Sequence, residues 1–349
     1  FETGIPPWIT PYQFKKEGWK ATDLSSKERE DHYSLHFPNS PAFVYLMHFA
    51  EKVLPRGSYL PRIFKIRHVS DSLVLLVVFS SLFLLFVALA LMRGEDNSEK
   101  RLSNSWLLTF VMLLGSVFFF VGSQNSLRQF LGTVVAILAV GAFLHRDWKI
   151  ILLGAISLIL SLGFHRWAPM FTILGMVFIV FRDRQIKLFS INTKLFCLNE
   201  YLIAAILGLM AIIVVKVGIK LDVPQFTLYF GIDESSEIYR SSAVTKLIVF
   251  TLLVGFTDFV AGRVASDWRF DPVSLRRCFL IFLAPLVIYP EIFSRIAMLY
   301  LASEAIYVVW ASGSRLTRVR FSAVLVFWAY GLAPNALNVL LDKGWKEAL

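Results

Sequence analysis

Long apolar runs, separated by short polar or basic segments, occupy almost the whole chain after residue 72. Ten such runs lie near 72–92, 105–122, 128–144, 149–165, 168–181, 198–218, 244–261, 278–293, 295–311 and 321–338. A helix rises about 1.5 Å per residue, so about 20 apolar residues cross a bilayer core of about 30 Å. Backbone polar groups inside lipid must find partners within their own segment, which favours helices. The sequence therefore predicts an all-α, polytopic membrane protein with about ten transmembrane helices in one domain over 72–338.

The segments that flank these runs predict two further parts of the chain. Residues 1–71 are polar and rich in proline, and we expect an extracytoplasmic segment there. Within it, PAFVYLMHFAEKVLP has thirteen residues between its prolines, which suits a short interfacial helix better than a span. Residues 339–349 are predicted to form an amphipathic tail. Because the chain begins Phe-Glu-Thr, we also expect one more helix upstream.

Lys and Arg residues are distributed unequally between the two alternating sets of loops. One set, which includes the 182–197 segment, contains sixteen of them, whereas the other, which includes 219–243, contains seven. Short cytoplasmic loops are enriched in Lys and Arg, so the first set is predicted to be cytoplasmic. The second set is then extracytoplasmic, where this bias disfavours Lys and Arg. Its cations include Arg128 and Arg295, and their presence there requires a different explanation. The 17% of charged residues and the absence of a soluble basic domain argue against nucleic-acid binding.

Two apolar runs, at 130–144 and 150–164, are joined by the polar turn HRDWK and predict a membrane hairpin. Its outer ends read SQNSLRQ and GFHRW, so one face of the membrane would collect basic and amide side chains. These predicted site residues are Asn125, Arg128, Gln129, His165 and Arg166.

Each of the two central residues of this site allows two interpretations. The guanidinium of Arg128 matches a phosphate bidentately, but an interfacial arginine also snorkels to lipid headgroups. His165 suits a general base or a hydrogen-bond donor, because imidazole titrates near neutral pH, but it also suits an interfacial aromatic belt. The outer location of Arg128 and its pairing with His165 through the hairpin favour function.

Three acidic residues of the later runs also need an interpretation. Arg295 follows Glu291 by four residues, so the two either form an ion pair that anchors a helix end or hold a second phosphate ligand. For Glu304 and Asp258 the sequence favours structural pairing.

For Glu304 the expected partners are Lys216 or Lys246.

The outer segment 220–242 is rich in acidic and aromatic residues, which suit sugar hydroxyls, and it contributes Tyr239 and Arg240 as predicted substrate contacts. A solvated loop is the alternative.

Several common chemistries lack their sequence signatures. The chain contains no Walker A loop, no Rossmann glycine pattern, no HExxH and no GxSxG. Cys197 and Cys278 are far apart and predict neither a disulfide framework nor a metal site. We therefore expect no metal and no cofactor.

The stretch from 123 to 169 resembles the EpsG family and related Wzy-type exopolysaccharide polymerases. That family shares an Asn-x-x-Arg-Gln start, a membrane hairpin and a Phe-His ending, and this chain matches it from Asn125 to Gln129 and at Phe164 and His165. A later segment of the family has an Arg with a Tyr about five residues on, which Arg295 and Tyr300 match.

The resemblance implies a membrane glycosyltransferase with a GT-C-like architecture in the bacterial inner membrane. Such an enzyme joins oligosaccharide repeat units carried on undecaprenyl pyrophosphate, with its active site facing the periplasm. Arg128, His165 and Arg295 would be catalytic, and Tyr300 would contact substrate. Expected partners are the lipid-linked oligosaccharide, membrane lipids and a chain-length regulator. Two rival functions remain open, a membrane O-acyltransferase acting on polysaccharide and a flippase or transporter of the lipid-linked unit.

Overall fold

The computed structural model of the protein describes residues 42, 45–46, 71–93, 127–183, 186–191, 194–221, 236–262, 268–314, 316–327 and 329. These residues form helices and one two-stranded hairpin. The elements are α1 (Asp71–Met92), α2 (Leu127–Phe143), α3 (Trp148–Phe164), α4 (Pro169–Asp183), β1 (Ile186–Ile191), β2 (Lys194–Leu198), α5 (Glu200–Lys220), α6 (Ser236–Ala261), α7 (Pro272–Leu283), a 3₁₀ turn (Ala284–Ile288), α8 (Pro290–Ser312) and α9 (Thr317–Phe327).

The helices of the described chain follow the predicted apolar runs closely. Each of the ten runs carries a helix except 105–122, which lies outside the described residues, as does the tail at 339–349. In the predicted interfacial helix, residues 42, 45 and 46 are described and are helical. The run near 278–293 is broken, because α7 ends at Leu283 and α8 begins at Pro290, whose ring suits the first helical position.

Two helices of the described chain are long and apolar enough to cross a membrane by length and composition, over Glu200–Gly218 and Ala243–Ala261. Only 28% and 22% of these windows are buried, whereas the core helix of a water-soluble protein would be mostly buried. Five other apolar helical stretches have 10–17 residues. The ten-span arrangement is therefore not confirmed and stays a prediction.

Helix α3 has its polarity inverted relative to a helix of a water-soluble protein. Its buried residues are the small Gly154, Ser157 and Ser161. Its exposed face carries large aliphatic side chains, among them Ile159 at 70% and Leu162 at 53% exposure. Small residues between helices with aliphatic residues outside are typical of helix packing in lipid. There the hydrophobic effect does not drive helices together, and van der Waals contacts at close backbone approach stabilise the pair instead.

A β-hairpin interrupts the helices in a segment that the sequence analysis treated as a loop. Strands β1 and β2 pair antiparallel, with Ile186 opposite Leu198 and Ile191 opposite Lys194. The register shifts between Lys187 and Phe189. Two residues separate the strands, the length of the commonest hairpin connection. Apart from this hairpin and a single bridge between Arg93 and Trp268, the regular structure of the described residues is helical.

The chain divides into two compact units, Phe1–Ala88 with Val121–Pro169, and Leu89–Phe120 with Met170–Leu349. The first contains the α2–α3 hairpin. In the second, α8 is buried on nearly every side and packs against α6, α7 and α9. Helix α5 approaches α7 so closely that a Cβ on Gly208 would lie 2.7 Å from the carbonyl oxygen of Phe282.

Candidate functional site

The start of α2 lies against the end of α3 in the first unit. A Cβ built on Gly132 would lie 2.7 Å from Cβ of Ala168, 3.2 Å from the Ser161 carbonyl oxygen and 3.3 Å from Cβ of His165. Contacts below 3.0 Å are not tolerated, so glycine permits this approach and a larger residue does not. Gly132 stands one turn after Arg128. The two ends of the hairpin therefore lie close together, whereas the meeting of the predicted side chains in one site stays a prediction.

The turn that follows α3 holds His165 through main-chain contacts. His165 caps α3 in an extended conformation, and its N–H donates to the carbonyl oxygen of Ser161 at 3.0 Å. The N–H of Ala168 donates to the carbonyl oxygen of His165 at 2.9 Å and closes the turn. The N–H of Trp167 donates to Nδ1 of His165, with a nitrogen–nitrogen distance of 3.4 Å. The imidazole is thus oriented by the backbone two residues later.

Two other predicted residues lie at this end of the hairpin with described side chains. Gln129 is 7% exposed and belongs to the buried face of α2. The guanidinium carbon of Arg166 lies 5.9 Å from the ring centre of Trp167, within the range of a cation–π contact. The turn therefore presents a cation and an imidazole side by side.

The remaining predicted residues are described less fully. Asn125 lies outside the described residues, and so do the side chains of Arg128, Arg295, Glu291, Tyr239 and Arg240. The backbone of Tyr239 and Arg240 belongs to α6, which begins at Ser236, so these two residues are helical and do not lie in the loop predicted over 220–242. Arg295 lies in the second unit, and its convergence with Arg128 and His165 stays a prediction.

A second constellation, not predicted from the sequence, lies inside the second unit. Arg276 of α7 has no exposed side-chain surface. One of its terminal nitrogens contacts Asp258 of α6, and the other lies 3.4 Å from a carboxylate oxygen of Glu304 on α8. Asp258 also accepts from Nε of Arg277 at 2.7 Å. Two cations and two carboxylates thus form one neutral network across three helices.

This network corrects three expectations. Glu304 pairs with Arg276, whereas its expected partners Lys216 and Lys246 are exposed. Tyr300 is 1% exposed and donates its hydroxyl to Glu304, so it does not face a substrate as predicted. Arg276 is one of the sixteen Lys and Arg residues assigned to the predicted cytoplasmic loops. In the structure it belongs to the second turn of α7 and is buried. The prediction of structural pairing for Asp258 and Glu304 is confirmed.

Aromatic groups complete the surroundings of Arg276. Its guanidinium carbon lies 3.7 Å from the ring centre of Tyr307, in a cation–π contact. The Tyr307 hydroxyl shares a hydrogen bond of 2.6 Å with Ser322 of α9. The sequence signal for this network was a pair of ionisable residues, Asp258 and Glu304, inside apolar runs, because such residues require a partner at membrane depth.

Among the described residues, no group of three His, Cys, Asp or Glu side chains is placed to hold a metal ion. At the hairpin, the described functional groups are the imidazole, guanidinium and indole groups of the 165–167 turn, together with the amide of Gln129. Comparison of the chain with protein-family models, curated proteins and solved structures finds no match.

Proposed function

We propose that the protein is a membrane polysaccharide polymerase whose active site lies at the α2–α3 hairpin. The supporting observation is the close approach at Gly132, which brings the helix that carries Arg128 against His165 and the turn after it. A phosphate-binding cation and a titratable imidazole on adjoining backbone are what glycosyl transfer from a lipid pyrophosphate needs. Undecaprenyl pyrophosphate-linked oligosaccharide is the proposed substrate, and the outer face of the bacterial inner membrane the proposed location.

The reaction makes two demands on the protein. The bond between the anomeric carbon and the pyrophosphate oxygen breaks, the oxygen keeps the electron pair, and Arg128 stabilises the developing negative charge. An acceptor sugar hydroxyl forms the new glycosidic bond and loses its proton. That proton passes to a general base, and the candidate within this unit is the His165 imidazole, whose Nδ1 accepts from the main-chain N–H of Trp167.

Transport of the lipid-linked unit is the second candidate function. It is favoured by the buried network of Arg276, Asp258 and Glu304, because ionisable residues at membrane depth often mark ion or substrate pathways. The network is neutral and each of its carboxylates has a cationic partner, which suits structural anchoring equally well. Polymerisation remains the first candidate because the hairpin contains groups suited to its chemistry.

The test of the proposed function is Arg128→Lys. If Arg128 binds pyrophosphate as a planar fork, an ammonium cannot replace it, and we expect polymerisation to fall about 10²–10³-fold. The assay measures polymer length on gels, in cells that lack the native gene and at matched protein level. The control is Arg146→Lys, because Arg146 is exposed in the turn at the other end of the hairpin and should tolerate the change.

The competing interpretation makes the opposite prediction. A snorkelling arginine is replaced well by lysine, so Arg128→Lys would give polymer of normal length. That result would remove the bidentate phosphate role and the main support for an active site at the hairpin. If purified protein instead moves lipid-linked oligosaccharide across vesicles without lengthening it, the transporter replaces the polymerase.

A further inference from the structure

The indole N–H of Trp167 is buried and has no hydrogen-bond partner among the residues that the structure describes. Buried polar groups in proteins are nearly always paired, and each exception calls for an explanation such as a missing ligand. Leaving a donor unsatisfied costs stability, and that cost is recovered when an acceptor binds. Trp167 belongs to the same turn as His165, within the first unit.

The surroundings of this N–H indicate what kind of acceptor it would bind. The guanidinium of Arg166 lies 5.9 Å from the Trp167 ring centre, which places a positive charge beside the indole. The main-chain N–H of Trp167 donates to Nδ1 of His165, which holds the indole in the same turn as the imidazole. The guanidinium of Arg166 and the indole N–H both donate hydrogen bonds, and neither group accepts them.

A set of donors without acceptors discriminates between the two chemical parts of the proposed substrate. Phosphate oxygens only accept hydrogen bonds, and charge-assisted bonds to them are strong. Sugar hydroxyls both donate and accept, so a site that only donates leaves part of their hydrogen-bonding capacity unused. The residues of the turn therefore fit phosphate better than saccharide.

We infer that the indole N–H of Trp167 binds an oxygen of the pyrophosphate of the lipid-linked substrate, as a positioning donor beside Arg166. The inference rests on the proposed function, since it names a further contact within that site. It also gives Trp167 a role other than anchoring the chain in the lipid interface.

The experiment compares Trp167→Phe with the parent protein in detergent. Phenylalanine keeps an aromatic ring for Arg166 to cover and lacks the five-membered ring that carries the N–H donor. The probe is farnesyl pyrophosphate, and its dissociation constant is measured by titration calorimetry. The matched control is Trp148→Phe, because Trp148 is 67% exposed at the opposite end of the hairpin. We expect the dissociation constant to rise about tenfold for Trp167→Phe and not for the control.

A second measurement separates a ligand donor from a structural one. Without ligand, Trp167→Phe should unfold close to the parent temperature, because the removal of an unsatisfied buried donor offsets the loss of packed ring atoms. A lower unfolding temperature with unchanged affinity means that the N–H is used within the fold, and an unchanged affinity alone also overturns the inference. If Arg128→Lys weakens probe binding and Trp167→Phe does not, only this inference fails. If the parent protein does not bind the probe at all, the proposed pyrophosphate site fails with it.

Discussion

Replacing Arg276 by methionine is the change for which the structure predicts the largest loss of stability. Methionine has a similar length and no charge, so it leaves Glu304 buried beside Tyr300 without its cationic partner. At the distance of 3.4 Å between Arg276 and Glu304, two unit charges interact by about 5 kcal/mol at an effective dielectric constant of about 20. Breaking a buried ion pair typically costs about 3–5 kcal/mol, because the remaining charge stays desolvated. We expect a loss in this range.

Arg277 provides the matched control in the neighbouring position. It contacts the same Asp258, but 42% of its side chain is exposed. Exposed ion pairs contribute about 0–1 kcal/mol, so Arg277→Met should be nearly neutral. The two substitutions remove the same charge from adjacent residues of one helix that share Asp258 as a partner, but only Arg276 is fully buried and also pairs with Glu304.

Thermal unfolding in detergent can be followed through Cys278, which is a buried free cysteine two residues after Arg276. A maleimide dye that fluoresces on reaction with a thiol reports its exposure, in a Cys197→Ser background. The expected loss corresponds to a lowering of the unfolding temperature on the order of 10 °C for Arg276→Met.

A double substitution tests the physical reason for this loss. In Arg276→Met with Glu304→Met both buried charges are absent, Asp258 keeps Arg277, and only the Tyr300 hydroxyl loses its acceptor. We expect the double variant to be more stable than Arg276→Met, with a coupling of at least about 2 kcal/mol. The reasoning is refuted if Arg276→Met is no more destabilising than Arg277→Met, or if the two substitutions are additive.

Two further predictions concern the hairpin and the orientation of the chain. Gly132→Ala would place a methyl group 2.7 Å from Cβ of Ala168, so it should cost about 1–3 kcal/mol in thermal unfolding and reduce polymerisation. The control is Gly255→Ala, where a methyl group meets nothing within 4 Å, so stability should be unchanged or higher and activity unchanged. Equal effects of the two substitutions would contradict the close approach at Gly132. In intact cells, an impermeant thiol reagent should label a cysteine that replaces Ser235 and spare one that replaces Ser190, and the reverse pattern would invert the predicted topology.

Much of the helical arrangement was accessible from the sequence because it depends on local chemistry. The candidate spans at Glu200–Gly218 and Ala243–Ala261 lie almost where the apolar runs placed them. The hairpin ends were predicted to converge because two helices joined by a short turn must run antiparallel, and the contact at Gly132 confirms this.

Other features depended on which residues become neighbours in space. The ladder between β1 and β2 was missed because their apolar and basic residues also suit a cytoplasmic loop, and only strand pairing distinguishes the two. The start of α6 was placed too late because its first turns are polar, and hydropathy alone marks the apolar part of a helix.

The sequence by itself determined that Asp258 and Glu304 need partners, since charges inside apolar runs are too costly to leave unpaired. It did not determine which cation would serve, because several Lys and Arg residues lie at compatible positions along the chain. The tertiary structure selected Arg276, because α7 packs against α8 and touches α6, which buries that side chain between the two carboxylates. The identity of the cation that pairs with these carboxylates follows from helix packing, whereas the requirement that they be paired follows from the sequence.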